Sequence, residues 1–431
     1  MPLVEITDVF QAPPGDALRG SYIDRPVPGT ALDQTAFEIG GWLLGTKSAA
    51  REIQVVEGGI VLRAIPVTVA RPDVVEVHPG APEVSGFGAL VGALGLEPEF
   101  TLELRAVLED GTHVDAGSIR GRRQPLHSGY RPRFHTLLVT SLGRTGTTLL
   151  LNLLSNHPAI VAYRIYPYEI FPARYWLHLL RVLAEPADHA ASAHPSLFAQ
   201  DLQRVGHNPF HASPIADHDG LGEFFGRRYV ERLARFSQKS IDGFYTELAR
   251  VEGKPRAKFF VEKFQPDHLP RLALELDPRT KELILVRDFR DLICSVFAFN
   301  AKRGSVEFGR EQFTSDEDYV RYIGLHARRL VAAWKSRAET SKLVRYEDLA
   351  TRPHETLAEV LAYLRLNRKP QTIDGLVASA FDGPDFAAHR TTGSVEESIG
   401  RWRRELPREL RSVVQAELDE ALIELGYERT A

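Results

Sequence analysis

The sequence predicts an α/β fold, a parallel sheet flanked by helices with a P-loop-like turn, preceded by a small all-β sandwich domain. Three observations lead there. After Phe134, short β-rich runs alternate with helical ones, the pattern of a parallel sheet that binds its ligand at the carboxyl ends of its strands. One such alternation, LLVTSLGRTGTTLLLNLLSNHP, joins a strand, a glycine turn and a helix. From Ala36 to Arg123, by contrast, short β-rich runs are separated by turn residues.

At 431 residues the chain exceeds the roughly 250 to 300 at which a single core stops growing, so two domains are expected. The composition shifts divide it into an N-terminal extension (1–35), the sandwich (36–123), a linker (124–134) and the α/β domain (135–431). With 43% hydrophobic and 26% charged residues, the composition is globular and argues against extended disorder. Lys plus Arg total 53 against 57 Asp plus Glu, a formal charge of −4, so no global field favours nucleic acid or an anionic membrane. A polyanionic ligand must then be held by a local cluster of cations. The only cysteine, Cys294, excludes an intramolecular disulfide and multi-thiolate metal sites, and fits a reducing compartment. The opening MPLVEITDVFQAPP lacks a basic start and an apolar run, and no stretch approaches the roughly 18 apolar residues that span a bilayer. A soluble, cytoplasmic protein is expected.

In the sandwich region, EIQVVE, GIVLRAIPVTV and TLELRAVLEDGTHVDAGSI read as strands. In the last, Leu102, Leu104 and Ala106 alternate with polar positions and Asp110-Gly111 supplies a hairpin turn. RPDVVEVHPGAPEVSGFGALVGALGL reads as an irregular connection, because its Pro and Gly content opposes a long helix. RGRRQPLHSGYRPRF reads as a solvated linker. In the α/β region, TLLVTS, KFFVEKF, ELILVR and KLVRYE read as strands, and Ser315 to Arg337, His354 to Leu364 and Arg408 to Leu425 as helices.

The turn with Gly143 and Gly146, opening a helix near Thr147, aims backbone N–H groups and a helix N-terminus at an anion. A nucleoside-triphosphatase loop would carry Lys directly after the second glycine. Thr147 stands there, followed by Thr148, and the cation is Arg144, inside the turn beside Thr145. In ELILVRDFRDLICS a strand ends near Arg287 and a helix carries Ser295, a spacing that can bring a charged fork and a hydroxyl to one phosphate. Taken alone, Arg287 could equally pair with Asp288 or Asp291.

Together these motifs resemble the PAPS-dependent sulfotransferase family, of bacterial type. GRTGTT resembles its 5′-phosphosulfate loop, usually PRSGTT or PKSGTT, and RDFRDLICS its 3′-phosphate segment. LVRYEDLATRP resembles its YEDL stretch, and SIGRWRREL its closing loop near the nucleotide. The departures are Gly143 for proline, Thr145 for serine or glycine, and a C-terminal loop without the full RKGxxGDWK pattern. The resemblance implies a P-loop-like sulfotransferase catalytic domain that uses PAPS, releases PAP, needs no metal and sulfates a hydroxyl acceptor. The appended sandwich points to a carbohydrate or glycolipid acceptor, with small-molecule alcohols, phenols and peptide tyrosines also open. The resemblance also implies cofactor contacts from Gly143, Arg144, Thr145, Gly146, Thr147, Thr148, Arg287, Ser295, Arg401 and Trp402. Sulfuryl transfer also needs positive charge at the leaving phosphate and a base at the attacking hydroxyl.

Arg144 meets the first need. Lys263, placed like the strand-end lysine of tyrosylprotein-type members, adds charge at the transferring group, the alternative being a surface lysine paired with Glu262. Glu169 is the leading base, by resemblance to members with a glutamate shortly after the HP dipeptide; it lies twelve residues after His157, a longer interval than theirs. The alternatives are a helix-start role, an ion pair with Arg164 or Arg174, and His157 or the downstream histidines His207, His211 and His218 as base. His207, His211 and His218 invite a metal reading, but Pro209 breaks the helix that would align the first two. Phe210, Phe224, Phe225 and Tyr229 nearby read as core or acceptor pocket. The competing functions are a P-loop nucleotide kinase or hydrolase and a non-catalytic nucleotide-binding scaffold.

Overall fold

The computed structural model describes residues 2–163, 165, 169–184, 221–306, 308–378 and 391–430. Arg164, His207, Phe210, His211 and His218, singled out above, lie outside the described residues. Two units emerge, Met1–Tyr130 with Tyr175–Lys239, and Arg131–Arg174 with Ser240–Ala431.

In the first unit, strands whose alternate side chains are apolar form two antiparallel sheets around one core. The strands are β1 (Val4–Gln11), β2 (Leu18–Arg25), β3 (Ala31–Leu32), β4 (Ala36–Gly45), β5 (Ala50–Glu57), β6 (Ile60–Pro66), β7 (Val69–Ala70), β8 (Val84–Gly92), β9 (Glu99–Leu108) and β10 (His113–Arg123). One sheet runs β3-β1-β10-β9-β5-β6 and the other β2-β4-β8-β7. Leu102, Leu104 and Ala106 face inward, and Gly111, at φ 84°, makes the turn between β9 and β10.

Residues 1–35 differ from the expected extension. β1 pairs with β10, β2 pairs with β4, and Ile6, Leu18 and Ile23 join the sandwich core. The segment expected to be irregular holds one short helix, α1 (Pro72–Val77), and also β8. Gly86 of β8 answers to packing: a side chain there would meet Val69 and Arg71 at 3.0 Å or less.

In the second unit, the parallel strands are β11 (His135–Thr140), β12 (Ile160–Val161), β13 (Phe259–Phe264), β14 (Lys281–Val286) and β15 (Ser341–Arg345), in the order β12-β13-β11-β14-β15. The helices are α2 (Thr147–Ser155), α3 (Pro172–Ala184), α4 (Tyr229–Val251), α5 (Leu269–Leu276), α6 (Phe289–Arg303), α7 (Asp316–Arg337), α8 (Tyr346–Thr351), α9 (Pro353–Tyr363), α10 (Pro370–Ala378), α11 (Trp402–Glu405) and α12 (Arg411–Glu424), of which α3 and α4 run on into the first unit. Leu283 and Leu285 of β14 join Leu150 and Leu361 in one core, while Ile284 and Val286 join Leu292, Leu330 and Leu418 in the other. A sheet covered on both faces explains the nearly continuous apolar runs in the sequence. The order reverses about β11, which has β13 on one side and β14 on the other, and a crevice opens beyond the carboxyl ends of strands at such a point. Among the described residues, no helix is long and apolar enough to cross a membrane.

Beneath this crevice lies a buried ion pair. Arg337 of α7 donates from Nε and Nη2 to Glu282 of β14 at 2.7 and 3.1 Å, and Thr140 of β11 donates to the same carboxylate at 2.6 Å. Arg337→Ala strands a buried carboxylate and is expected to lower the unfolding free energy by about 3 to 5 kcal/mol in urea titration. The double change Glu282→Leu with Arg337→Met is expected to lose less; equal losses would mean that the charge pair is not what the fold depends on there.

Candidate functional site

β11 delivers its chain into the turn Ser141–Gly146, and α2 begins at Thr147. The turn reverses direction through two left-handed residues, Arg144 at φ 62° and Gly146 at φ 90°. Gly146 is required twice over, because a Cβ there would also lie 2.4 Å from the Tyr346 ring. Thr145 is fully buried and donates from its hydroxyl to the Leu142 carbonyl at 2.8 Å, bracing the turn from inside.

Arg287, just past β14, holds the turn. It donates to the Arg144 carbonyl at 3.1 Å and the Ser398 carbonyl at 2.7 Å, with its guanidinium over the Tyr346 ring at 4.6 Å. It forms no salt bridge with Asp288 or Asp291, the bland alternative, since both carboxylates are committed elsewhere. Asp288 forks onto Arg290, and Asp291 accepts from the amides of Gly400 and Trp402 at 2.7 and 2.9 Å. Burial, with the Asp288 charge adding to it, pushes the Asp291 carboxyl up to about 6. Arg144 donates from Nε to Ser295 on α6 at 3.2 Å and lies 4.5 Å over the Phe299 ring.

These groups line a cavity of about 410 Å³. Gly143, Arg144, Gly146, Thr147, Thr148, Arg287 and Ser295 form part of its wall, and Glu169 and Lys263 also face it. Lys263 pairs with Glu169 at 3.2 Å rather than with Glu262, and burial lowers the lysine's pKa while Glu169 raises it. Glu262 points to the other face of β13, as strand alternation requires, and accepts from Tyr245 at 2.6 Å.

Thr145, Arg401 and Trp402 are not among the lining residues. Arg401 forks onto Glu405 and donates to Thr391 at 2.8 Å, while Trp402 packs in the core with its ring 3.9 Å from the Arg290 guanidinium. His157 is buried with both ring nitrogens turned to backbone, Nε2 to the Asn367 carbonyl and Nδ1 to the Ala159 amide, and burial lowers its pKa. It does not line the cavity. Among the described residues, no group of three or more His, Cys, Asp or Glu is placed to hold a metal ion.

Sequence reasoning missed Arg174, Tyr346, Thr391, Ser394 and Ser398 as wall residues. Two of them carried a signal: Tyr346 begins YEDL, and Ser398 begins SIGRWRREL.

A family model described as "Sulfotransferase family" matches residues 137–370, more than half of the chain. Among solved structures, the chain is similar to the sulfotransferase domain from the curacin biosynthetic pathway, at 16% identity and TM-score 0.41, over 69% of this chain and 100% of that one. It is also similar to a sulfotransferase from Mycobacterium avium, at 14% identity and TM-score 0.36, over 70% and 79%. A mouse sulfotransferase complexed with PAP matches at 9% identity and TM-score 0.36, over 70% and 91%. Among curated proteins, none matches.

Gly146→Ala is expected to lower the unfolding free energy by at least about 1 kcal/mol in urea titration, from the left-handed backbone and the Tyr346 contact. Gly143→Ala, where a Cβ meets nothing within 4 Å, is expected to change it by less than about 0.5 kcal/mol. Equal effects at the two glycines would contradict the turn's dependence on Gly146.

Proposed function

Because the chain belongs to the sulfotransferase family, we propose that it is a PAPS-dependent sulfotransferase whose catalytic machinery lies in residues 135–431. The observation that carries this reading is the convergence of Arg144, Arg287 and Ser295 on a cavity that also holds a paired Lys263 and Glu169. The residues present suit a bound phosphate: among the described residues the buried Arg287 Nε has no hydrogen-bond partner, a donor left over after Nη1 and Nη2 have bound carbonyls. PAPS supplies the sulfuryl group that passes in line to an acceptor hydroxyl.

In this reading the chain's residues divide the work. Arg287 and Ser295 hold the 3′-phosphate. Gly143, Gly146, Thr147, Thr148 and the start of α2 cradle the 5′ end with backbone N–H groups and hydroxyls. Arg144 offers a fixed positive charge where negative charge develops on the leaving phosphate. Lys263 stands at the transferring group, and Glu169 takes the proton from the acceptor hydroxyl. Thr145, Arg401 and Trp402, set back from the cavity wall, act through the turn and the 398–402 segment that they brace. Thr147 in place of the Walker lysine disfavours a nucleoside-triphosphate kinase. The test of the activity is labelled sulfuryl transfer from PAPS, in EDTA, across carbohydrate, glycolipid, alcohol, phenol and tyrosyl acceptors. Transfer to one class supports the reading, and stabilisation by ATP with magnesium but not by PAP overturns it.

Arg287→Ala and Ser295→Ala are expected to weaken PAP in calorimetry more than they slow the saturated reaction, because a remote phosphate is held in both ground and transition states. The arginine should cost about 10- to 100-fold and the serine less, since its bond is not charge-assisted on the protein side. Unchanged PAP affinity in both variants would contradict the assignment.

Arg144→Ala and Glu169→Gln should instead lower the rate at saturating PAPS, by about 10²- to 10³-fold and about 10²- to 10⁴-fold respectively. Glu169→Gln alone should flatten the acid limb of the pH–rate profile. A parental rate and profile in Glu169→Gln would remove that residue as the base.

A further inference from the structure

Glu262 is a carboxylate where the fold needs an apolar residue. It lies in the centre of β13 with 1% of its surface exposed, between the buried Val261 and the partly buried Lys263, and among the described residues it has no salt bridge. Burying a carboxylate without a paired cation is costly, so the contacts it makes must offset that cost. Its Oε1 accepts from the Tyr245 hydroxyl at 2.6 Å and the Ala173 amide at 2.9 Å, and its Oε2 from the Arg174 amide at 3.4 Å. Those amides belong to the first turn of α3, whose N–H groups have no partner within the helix. The chain entering that turn carries Glu169 and Phe171, and Arg174 follows; all three line the cavity.

Successive side chains of β13 therefore grip the same short segment. Lys263 holds its start through Glu169, and Glu262 holds its end through the two amides. We propose that Glu262 is a positioning residue, anchoring the first turn of α3 and thereby setting where Glu169 and Arg174 stand at the cavity wall. The proposal rests on the reading of Glu169 as the base, because that role makes the segment's position matter to the rate.

The groups facing Glu262 are Tyr245 from α4 and the Arg174 charge from α3; Tyr245 in turn meets Thr136 of β11 and the charge of Asp242 on α4. Burial raises the Glu262 carboxyl to about 7, outweighing the hydrogen bonds that lower it. The sign follows: the native state keeps this proton where the unfolded chain has lost it, so its contribution to stability is lost as pH rises towards about 7.

The test combines amide hydrogen exchange, resolved at Ala173 and Arg174, with steady-state kinetics. In the unaltered chain both amides, corrected for intrinsic exchange, should be protected. Glu262→Gln, which keeps an oxygen for Tyr245 and Ala173 but turns an NH2 towards the Arg174 amide, should lower protection at Arg174 more than at Ala173 and retain turnover within about threefold. Glu262→Leu combined with Tyr245→Phe, which leaves no orphaned hydroxyl, should lose protection and lower kcat by about 10- to 100-fold while PAP affinity stays within about twofold. Unprotected amides in the unaltered chain, parental protection at Arg174 in Glu262→Gln, or a double variant with parental exchange or parental kcat overturns the proposal. Should the double variant not fold, the unaltered chain and Glu262→Gln still decide it. A parent inert with PAPS would defeat the proposed function, while the exchange results judge the anchor by themselves.

Discussion

The site depends on one buried guanidinium. Arg287, 4% exposed, spans the carbonyl of Arg144 in the turn after β11 and that of Ser398, more than a hundred residues further on. A cation taken out of water must be repaid by acceptors, and here both are main-chain oxygens outside the sheet and the α-helices. One bond fixes the turn at Arg144, and the other fixes the end of the short 3-10 turn Glu396–Ser398. The Arg144 bond holds a non-glycine residue in the left-handed region, from which its side chain reaches Ser295. The Ser398 bond works together with Asp291, which binds the Gly400 and Trp402 amides, to bring the C-terminal segment to the cavity. Tyr346 lies beneath the guanidinium and also fills the space beside Gly146, so β15 and α8 enter the same arrangement through one ring.

The opposite wall is built by another device. There β13 presents neighbouring residues to its two faces, and the segment leading into α3 is tied at Glu169 by Lys263 and at its first helical turn by Glu262. The parallel sheet supplies the rigid base for both walls: β11 and β13, adjacent and in register, end beside each other as Thr140 and Phe264. Catalytic groups borne by strand ends and helix starts are held more closely than groups on free loops.

How much was legible in the sequence follows from how local each signal is. The buried strands β11, β13 and β14 were readable as apolar runs, and the turn from Gly143 to Thr148 as glycines between strand and helix. β1 and β2 were not, because each alternates weakly and acquires its pairing from strands far along the chain. β8 was hidden by its glycines, of which Gly86 answers to Val69 and Arg71, a constraint no local pattern records. Within the site, Arg144, Arg287 and Ser295 were found from their motifs, and so were Lys263 and Glu169, whose mutual pairing was not. Trp402 and Arg401 lie in a motif that does approach the cavity, but through Ser398; the large apolar ring of Trp402 is taken into the core, a choice the local sequence does not record. Glu262 was read only as a possible partner for Lys263, because its true partners, Tyr245 and the amides of α3, lie 17 and nearly 90 residues away.

In the proposed reading, Arg287 and Ser295 receive a phosphate in the cavity that Arg144 shares. Calorimetric titration of the unaltered protein with PAP and with adenosine 5′-monophosphate, side by side in EDTA, tests it most directly. The two ligands differ only in the 3′-phosphate, and charge-assisted hydrogen bonds to it should make PAP bind about 10- to 100-fold more tightly. Equal affinities, or binding of neither, would contradict the claim.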